Sequence, residues 1–205
     1  MAGYSKKRLA SLVDSLPGFK EPKLRLEQYA TPGDIAATIA WTMYMRGELN
    51  EGWVVDLGCG TGRLAYAASL LGARALCVDI DPAPLAIPAS LSIDVAQCDA
   101  GMPCVKRGVK VVMNPPFGIW TRRGDSLFIR GAAAVAGVIY SIHKYAALQY
   151  ILRLAEGLGL RAELLDAARI DIPPMYPHHR KRRHSVAVAI IRLEATSRGT
   201  PNRSE

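Results

Sequence analysis

The chain has 205 residues, 50% of them apolar and 21% charged, which suits one soluble domain with room for a substantial core. No apolar run reaches the ~18 residues needed to span a bilayer, and the basic start Met1 to Arg8 leads into no signal segment, so the sequence reads as a cytoplasmic protein, not a membrane protein. A formal net charge of +8 and a pI near 9.5 point to a polyanionic partner, for which nucleic acid is the commonest candidate and a basic solvated surface the bland alternative.

In chain order, helices are expected over 5–16 and 32–45, in an N-terminal helical arm (1–50) packed on the main domain (51–194). Thr31 before Pro32 reads as a helix cap followed by proline in the first turn. From Trp53 onward, strand-like and helix-like segments alternate: a strand over 53–57, a glycine loop, a helix over 63–71 ended by Gly72, and strands over 75–80, 93–97 and 109–113. Then come a polar loop, a helix over 126–135, a strand over 137–141, a helix over 144–156, and strands over 161–172 and 184–193. Alternation of this kind predicts a parallel sheet with crossover helices on both faces. The last two strands are joined by residues 173–183, too few for a crossover helix, so they should form an antiparallel hairpin. A flexible polar tail is expected over 195–205.

The four cysteines, Cys59, Cys77, Cys98 and Cys104, form no C-x-x-C pair and no zinc-ligand spacing. No metal is expected. Buried free thiols are the ordinary reading, and a disulfide stays open.

Asp56-Leu57-Gly58-Cys59-Gly60-Thr61-Gly62 puts closely spaced glycines at a strand-to-helix turn, where missing side chains let the backbone turn tightly and approach a ligand. The G-x-G-x-G spacing differs from the G-x-G-x-x-G of dinucleotide folds, although the glycines alone leave a dehydrogenase open. It resembles motif I of S-adenosylmethionine enzymes. A ribose would need a carboxylate at the end of the second strand. Asp79 in Val78-Asp79-Ile80-Asp81 is the better candidate, while Asp81 can cap the following helix. Asp99, closing the third strand, can accept from an adenine amino group.

Asn114-Pro115-Pro116-Phe117 follows the fourth strand, at the sheet edge where open α/β folds bind ligands. Two prolines fix the backbone and remove two N–H donors, which leaves the Asn114 amide oxygen and the Pro115 carbonyl as acceptors. Two acceptors holding the hydrogens of an exocyclic amine can aim its lone pair at a methyl donor. No strong general base is needed, because the proton becomes acidic once the nitrogen is methylated. Phe117 is expected to offer a stacking face, worth ~1–3 kcal/mol per base. The tetrapeptide alone leaves adenine N6 and a glutamine amide of a translation release factor both open. A non-catalytic RNA-binding module would have little reason to keep it.

These motifs carry a closer resemblance from about Lys7 to Leu193. Gly18-Phe19-x-x-Pro22-Lys23, Leu26-Glu27-Gln28-Tyr29-x-Thr31, Asp79-Ile80-Asp81, Gln97-Cys98-Asp99, Asn114-Pro115-Pro116-Phe117-Gly118 and Tyr140-Ser141-x-His143-Lys144 all take part. The chain resembles an archaeal member of the methyltransferase-like family whose eukaryotic members methylate adenine N6 in small-subunit ribosomal RNA. The resemblance implies a Rossmann-like class I methyltransferase fold, a seven-stranded, mostly parallel sheet with a C-terminal antiparallel hairpin, and S-adenosylmethionine as cofactor. It adds Gln28, Tyr29 and Thr31 to the cofactor site, with Gly58, Thr61 and Arg63 around the methionine end. It also implies a small zinc-binding activator protein that completes the sheet edge. Thr61 is not shared by all relatives, and 119–125 diverges.

The densest basic cluster, His178-His179-Arg180-Lys181-Arg182-Arg183-His184, lies in the expected hairpin, where each phosphate contact would add affinity and salt dependence. Arg122 and Arg123, just past the tetrapeptide, and His143 and Lys144 join it as candidate RNA contacts. The expected activity is therefore methyl transfer to an adenosine N6 in RNA.

Overall fold

The computed structural model describes residues 4–118, 124–172 and 184–196. Five parallel strands, β1 (Trp53–Leu57), β2 (Arg74–Asp79), β3 (Asp94–Gln97), β4 (Val109–Met113) and β5 (Ala136–Lys144), form most of one sheet. The hairpin β6 (Leu160–Ile172) and β7 (His184–Ala195) completes it in the order β3-β2-β1-β4-β5-β7-β6, with β7 antiparallel to both neighbours. This is the α/β architecture expected from the alternation of elements.

Successive strand residues point to opposite faces, so each apolar pair feeds two cores. Val54, Val112, Tyr140, Ile142 and Ile190 join one cluster with Leu9, Val13, Ile35, Ile39 and Leu64 of the helices α1 (Lys6–Asp14), α2 (Gly33–Met45) and α3 (Arg63–Leu70). Val55, Val111, Ile139 and Ile191 join the other with Ile129 and Ala132 of α5 (Gly124–Val135) and Ile151 and Ala155 of α6 (Leu148–Gly157). Both faces of the central strands are thus covered, as buried parallel strands require, while β3 and β6 at the two ends are largely exposed. A short helix, α4 (Ala86–Ser90), follows β2. The N-terminal helices belong to the core of one face. Each large side chain they bury contributes about 1.5–3 kcal/mol.

Several local outcomes differ from the expected elements, among them a later start of the helix expected over 144–156, which begins at Leu148. Ser5 caps α1 by accepting from the Arg8 amide at 3.2 Å, but Pro32, not Thr31, occupies the cap position of α2. Asp14, the last residue of α1, accepts the Gly33 amide instead at 2.8 Å. The helices meet so closely there that a Cβ on Gly33 would lie 2.3 Å from the Ala10 carbonyl oxygen. β5 runs three residues past the expected end, because Ile142, His143 and Lys144 pair with Ile190, Ala189 and Val188 of β7. A bulge at Leu164/Asp166 interrupts the β6–β7 register.

On one face of β7 the 6% exposed Arg192 is held by charges: Nη2 donates to Glu48 Oε1 at 2.7 Å and Nη1 to Glu194 Oε2 at 2.9 Å. Tyr140 donates its hydroxyl to Glu48 Oε2 at 2.7 Å. The Arg192 and Arg161 guanidiniums hold the Glu194 carboxyl down at about 2. Among the described residues no helix is long and apolar enough to cross a membrane, and all four cysteines are free thiols.

Candidate active site

The C-terminal ends of β1, β2, β3 and β4 lie along one sheet edge and open onto a cavity of about 210 Å³. The glycine loop after β1 closes against β2, with the Gly58 and Cys59 amides both donating to the Val78 carbonyl at 2.8 and 3.0 Å. Gly58 and Gly60 have φ of 72° and 51°, and a Cβ on either would fall 2.5 Å from the ring of Phe128 or Phe19 respectively. These glycines therefore admit two of the protein's own aromatic rings, both of which line the cavity. Gly62 acts elsewhere: it caps α3 and packs on Pro88 and Cys77.

Asp56 lies under the loop and accepts the Ala65 amide at 3.0 Å, which ties β1 to α3. Burial raises its carboxyl to about 7, only partly opposed by that amide. Asp79, at the end of β2, accepts the Gly60 amide at 2.7 Å on one oxygen and the Asp81 amide at 2.8 Å on the other. A carboxylate oxygen can accept more than one hydrogen bond, so Asp79 keeps acceptor capacity toward the cavity it lines. Ile80, 51% exposed, offers an apolar wall, and Asp99 stands exposed at the rim with Oδ1 accepting the Gly101 amide at 2.8 Å. Thr61 and Cys59 also line the cavity. The Cys59 thiol is pushed well up by its hydrogen bond with Cys77 and by burial, so it stays neutral.

The segment before α2 forms the opposite wall. Asp81 fastens it: Oδ1 receives the Lys23 ammonium at 2.7 Å, and Oδ2 the Gln28 amide nitrogen at 2.8 Å. Gln28 Oε1 in turn accepts the Lys23 backbone amide at 2.8 Å. Burial alone would raise the Asp81 carboxyl, but Lys23 and Gln28 outweigh it and lower it. Asp81 also accepts the Ala83 amide at 3.2 Å, so it caps the turn ahead of α4 as well. Arg63, in the first turn of α3, donates to the Thr31 carbonyl at 3.1 Å and the Leu16 carbonyl at 3.0 Å. Its buried Nε has no hydrogen-bond partner among the described residues and belongs to a side chain lining the cavity.

β4 delivers Asn114 to the middle of this edge. Its side-chain nitrogen donates to Thr31 Oγ1 at 3.1 Å and its Oδ1 accepts the Tyr29 hydroxyl at 3.0 Å. Thr31, expected as a helix cap, thus spends its hydroxyl on the Asn114 amide. Pro116 lines the cavity and Pro115 is buried beside it.

Two expectations need correction. Phe117 is 5% exposed and presents no open stacking face, because Tyr29 lies 5.5 Å away, tilted by 42°, and Lys144 Nζ sits 5.7 Å from its centroid. His143 cannot touch RNA, being 0% exposed. The extension of β5 turns it inward, where Nε2 lies 2.7 Å from Ser141 Oγ and Nδ1 faces Asp125 Oδ1 at 3.5 Å. Lys144 remains half-buried beside Phe117. Arg122, Arg123, His179, Arg180, Lys181, Arg182 and Arg183 lie outside the described residues.

Sequence reasoning missed Leu127 and Phe128 of α5 and Ala100, all of which line the cavity. Their only local signals are the bare glycines they pack against: Gly58 for Phe128, Gly101 for Leu127 and Gly131 for Ala100.

A family profile described as ribosomal protein L11 methyltransferase (PrmA) matches residues 39–105, which include β1, β2 and β3. The chain is 35% identical to the rRNA N(6)-adenosine-methyltransferase METTL5 of Danio rerio, over 93% of this chain and 99% of that one. It is 32% identical to Mettl5 of Drosophila melanogaster, another rRNA N(6)-adenosine-methyltransferase, over 95% and 98%. Among solved structures, a candidate RNA methyltransferase from Pyrococcus horikoshii, PH1948, superposes with a TM-score of 0.85 at 32% identity, covering 95% of this chain and 98% of that one.

Proposed function

Because the chain belongs to the METTL5 family and is an RNA methyltransferase, we propose that it transfers a methyl group from S-adenosylmethionine to the N6 amine of an adenosine in small-subunit ribosomal RNA. The observation that carries this reading is Asn114, held by Thr31 and Tyr29 with its amide at the rim of the glycine-loop cavity.

The cavity residues fit this cofactor. The unpartnered Arg63 Nε would meet the methionine carboxylate, Asp79 the ribose hydroxyls, and Ile80 with Asp99 the adenine. When bound, S-adenosylmethionine supplies an electrophilic sulfonium methyl. Asn114 Oδ1 and the Pro115 carbonyl would accept the two N–H groups of the amine and so orient its lone pair. Orientation of that kind can contribute several kcal/mol of the barrier reduction. After transfer the methylated nitrogen is acidic and releases its proton to water, so no strong base is needed at the site. The basic segment 177–184, with Arg122 and Arg123, would supply phosphate contacts. A zinc-binding activator protein would find a terminal strand, β3 or β6, at either end of the sheet.

The test is to incubate the protein with labelled cofactor and either small-subunit ribosomal RNA or a translation release factor, then identify the modified nucleoside or residue. N6-methyladenosine is expected, and label in protein alone would overturn the reading. Asn114→Ala should lower transfer by at least a hundredfold while cofactor affinity changes little; retained turnover would remove Asn114 from its role.

A further inference from the structure

Tyr29 holds the ground that a target base needs. A base delivered to Asn114 presents two features: an aromatic ring against Phe117, and an N–H donor for Asn114 Oδ1. The Tyr29 side chain presents both already, with its ring 5.5 Å from Phe117 and its hydroxyl 3.0 Å from Oδ1. Burial pushes the phenol well above its ordinary value, so it remains protonated and a donor at any physiological pH.

Phe117 is 5% exposed, so a base can stack on it only after a neighbour leaves. Lys144 is one such neighbour, yet its departure would free the ring without freeing Asn114. Departure of Tyr29 frees the ring and the acceptor together. The backbone around it is fastened on both sides, by Gln28 to Asp81 and by the Thr31 carbonyl to Arg63. A swing of the half-buried Tyr29 side chain is therefore the motion the contacts leave open.

We propose that Tyr29 is a stand-in for the target base: it fills the base subsite between Asn114 and Phe117 in the RNA-free enzyme and yields it to the incoming adenine. The inference rests on the adenine reading above and adds an internal competitor to it. Competition keeps the subsite dry and Asn114 oriented between turnovers, at the expense of RNA affinity.

Tyr29→Phe keeps the ring and removes the donor. With saturating S-adenosylmethionine and small-subunit ribosomal RNA as methyl acceptor, KM for RNA should fall, because one hydrogen bond no longer has to be displaced. A net hydrogen bond is worth about 0.5–1.5 kcal/mol, which corresponds to a roughly 2- to 13-fold lower KM. kcat and the dissociation constant for S-adenosylmethionine are measured alongside, because Tyr29 also touches Asn114 and lines the cavity; the fall in KM is the result the proposal requires. Tyr29→Ala should lower KM at least as far. An unchanged or raised KM overturns the proposal. So does a kcat loss above about tenfold at constant KM, which would make Tyr29 a positioning residue for Asn114. If the wild-type chain methylates release factor and not RNA, the adenine reading fails by itself. The same comparison with the protein acceptor then decides the role of Tyr29 separately.

Discussion

Asp81→Asn probes the fastening of the cavity wall formed by the segment before α2, and the geometry sets its size. Asp81 accepts from Lys23 Nζ at 2.7 Å and the Ala83 amide at 3.2 Å on one oxygen, and from Gln28 Nε2 at 2.8 Å on the other. Asparagine can keep the first pair with its carbonyl oxygen, but its NH2 group then faces the NH2 of Gln28. Turning the Gln28 amide over does not help, since Oε1 already accepts the Lys23 backbone amide at 2.8 Å and that donor would lose its partner. One donor is left opposing another in every arrangement, at a cost of about 1–3 kcal/mol. Binding must supply the ordering that the wall has lost, so affinity for S-adenosylmethionine should weaken by up to about 5- to 150-fold. Lys23→Met removes the ion pair alone, and with 43% of the Lys23 side chain exposed the pair is screened. Its loss should cost at most about 1 kcal/mol, or about fivefold. Isothermal titration calorimetry of the two variants is the assay. Asp81→Asn binding within twofold of wild type, or Lys23→Met losing as much as Asp81→Asn, would refute the reasoning.

Gly60→Ala must adopt a φ of 51° and push the Phe19 ring, 2.5 Å from the new Cβ, off the cavity wall. The left-handed backbone alone costs about 1–2 kcal/mol, and cofactor affinity should fall with stability; Phe19→Ala in the same chain should restore part of the loss. Asp56 keeps its proton up to about pH 7 against the ordinary 3.8, so the native chain holds a proton that the unfolded chain has released between those values. That stability is fully present below about pH 4 and is lost as the pH rises through 7, at up to about 1.4 kcal/mol per pH unit. Urea unfolding of Asp56→Asn against pH should lack this slope, and an identical slope would show that Asp56 is ionised throughout. Arg192→Met strands Glu48, at a cost of about 3–5 kcal/mol, which lowers Tm by roughly 6–20 °C. Replacing Glu48 by Met as well should recover most of that, and an additive loss would contradict the pairing.

Much of the fold was legible because local signals and global packing agree. Val54-Val55, Val111-Val112 and Ile139-Tyr140 are apolar at consecutive positions, which only a sheet covered on both faces can bury. The eleven residues 173–183 are too few to cross over, and β6 and β7 indeed pair antiparallel. The end of β5 was not legible, since Ile142-His143-Lys144 carries no strand signal of its own and is extended by its partners on β7. That pairing turned His143 from an expected RNA contact into a buried neighbour of Ser141 and Asp125.

For the site, the glycine spacing, the strand-end carboxylates and Asn114-Pro115-Pro116-Phe117 were readable in the sequence by itself, because backbone freedom, strand termini and missing donors are properties of consecutive residues. Which distant groups meet is settled by the packing of the folded chain. Tyr29 reaches Asn114 across 85 positions, Thr31 reaches it across 83, and Lys23 reaches Asp81 across 58. A hydrogen bond needs two atoms within about 3 Å, and no periodicity or local preference reports a contact between segments so far apart in the chain.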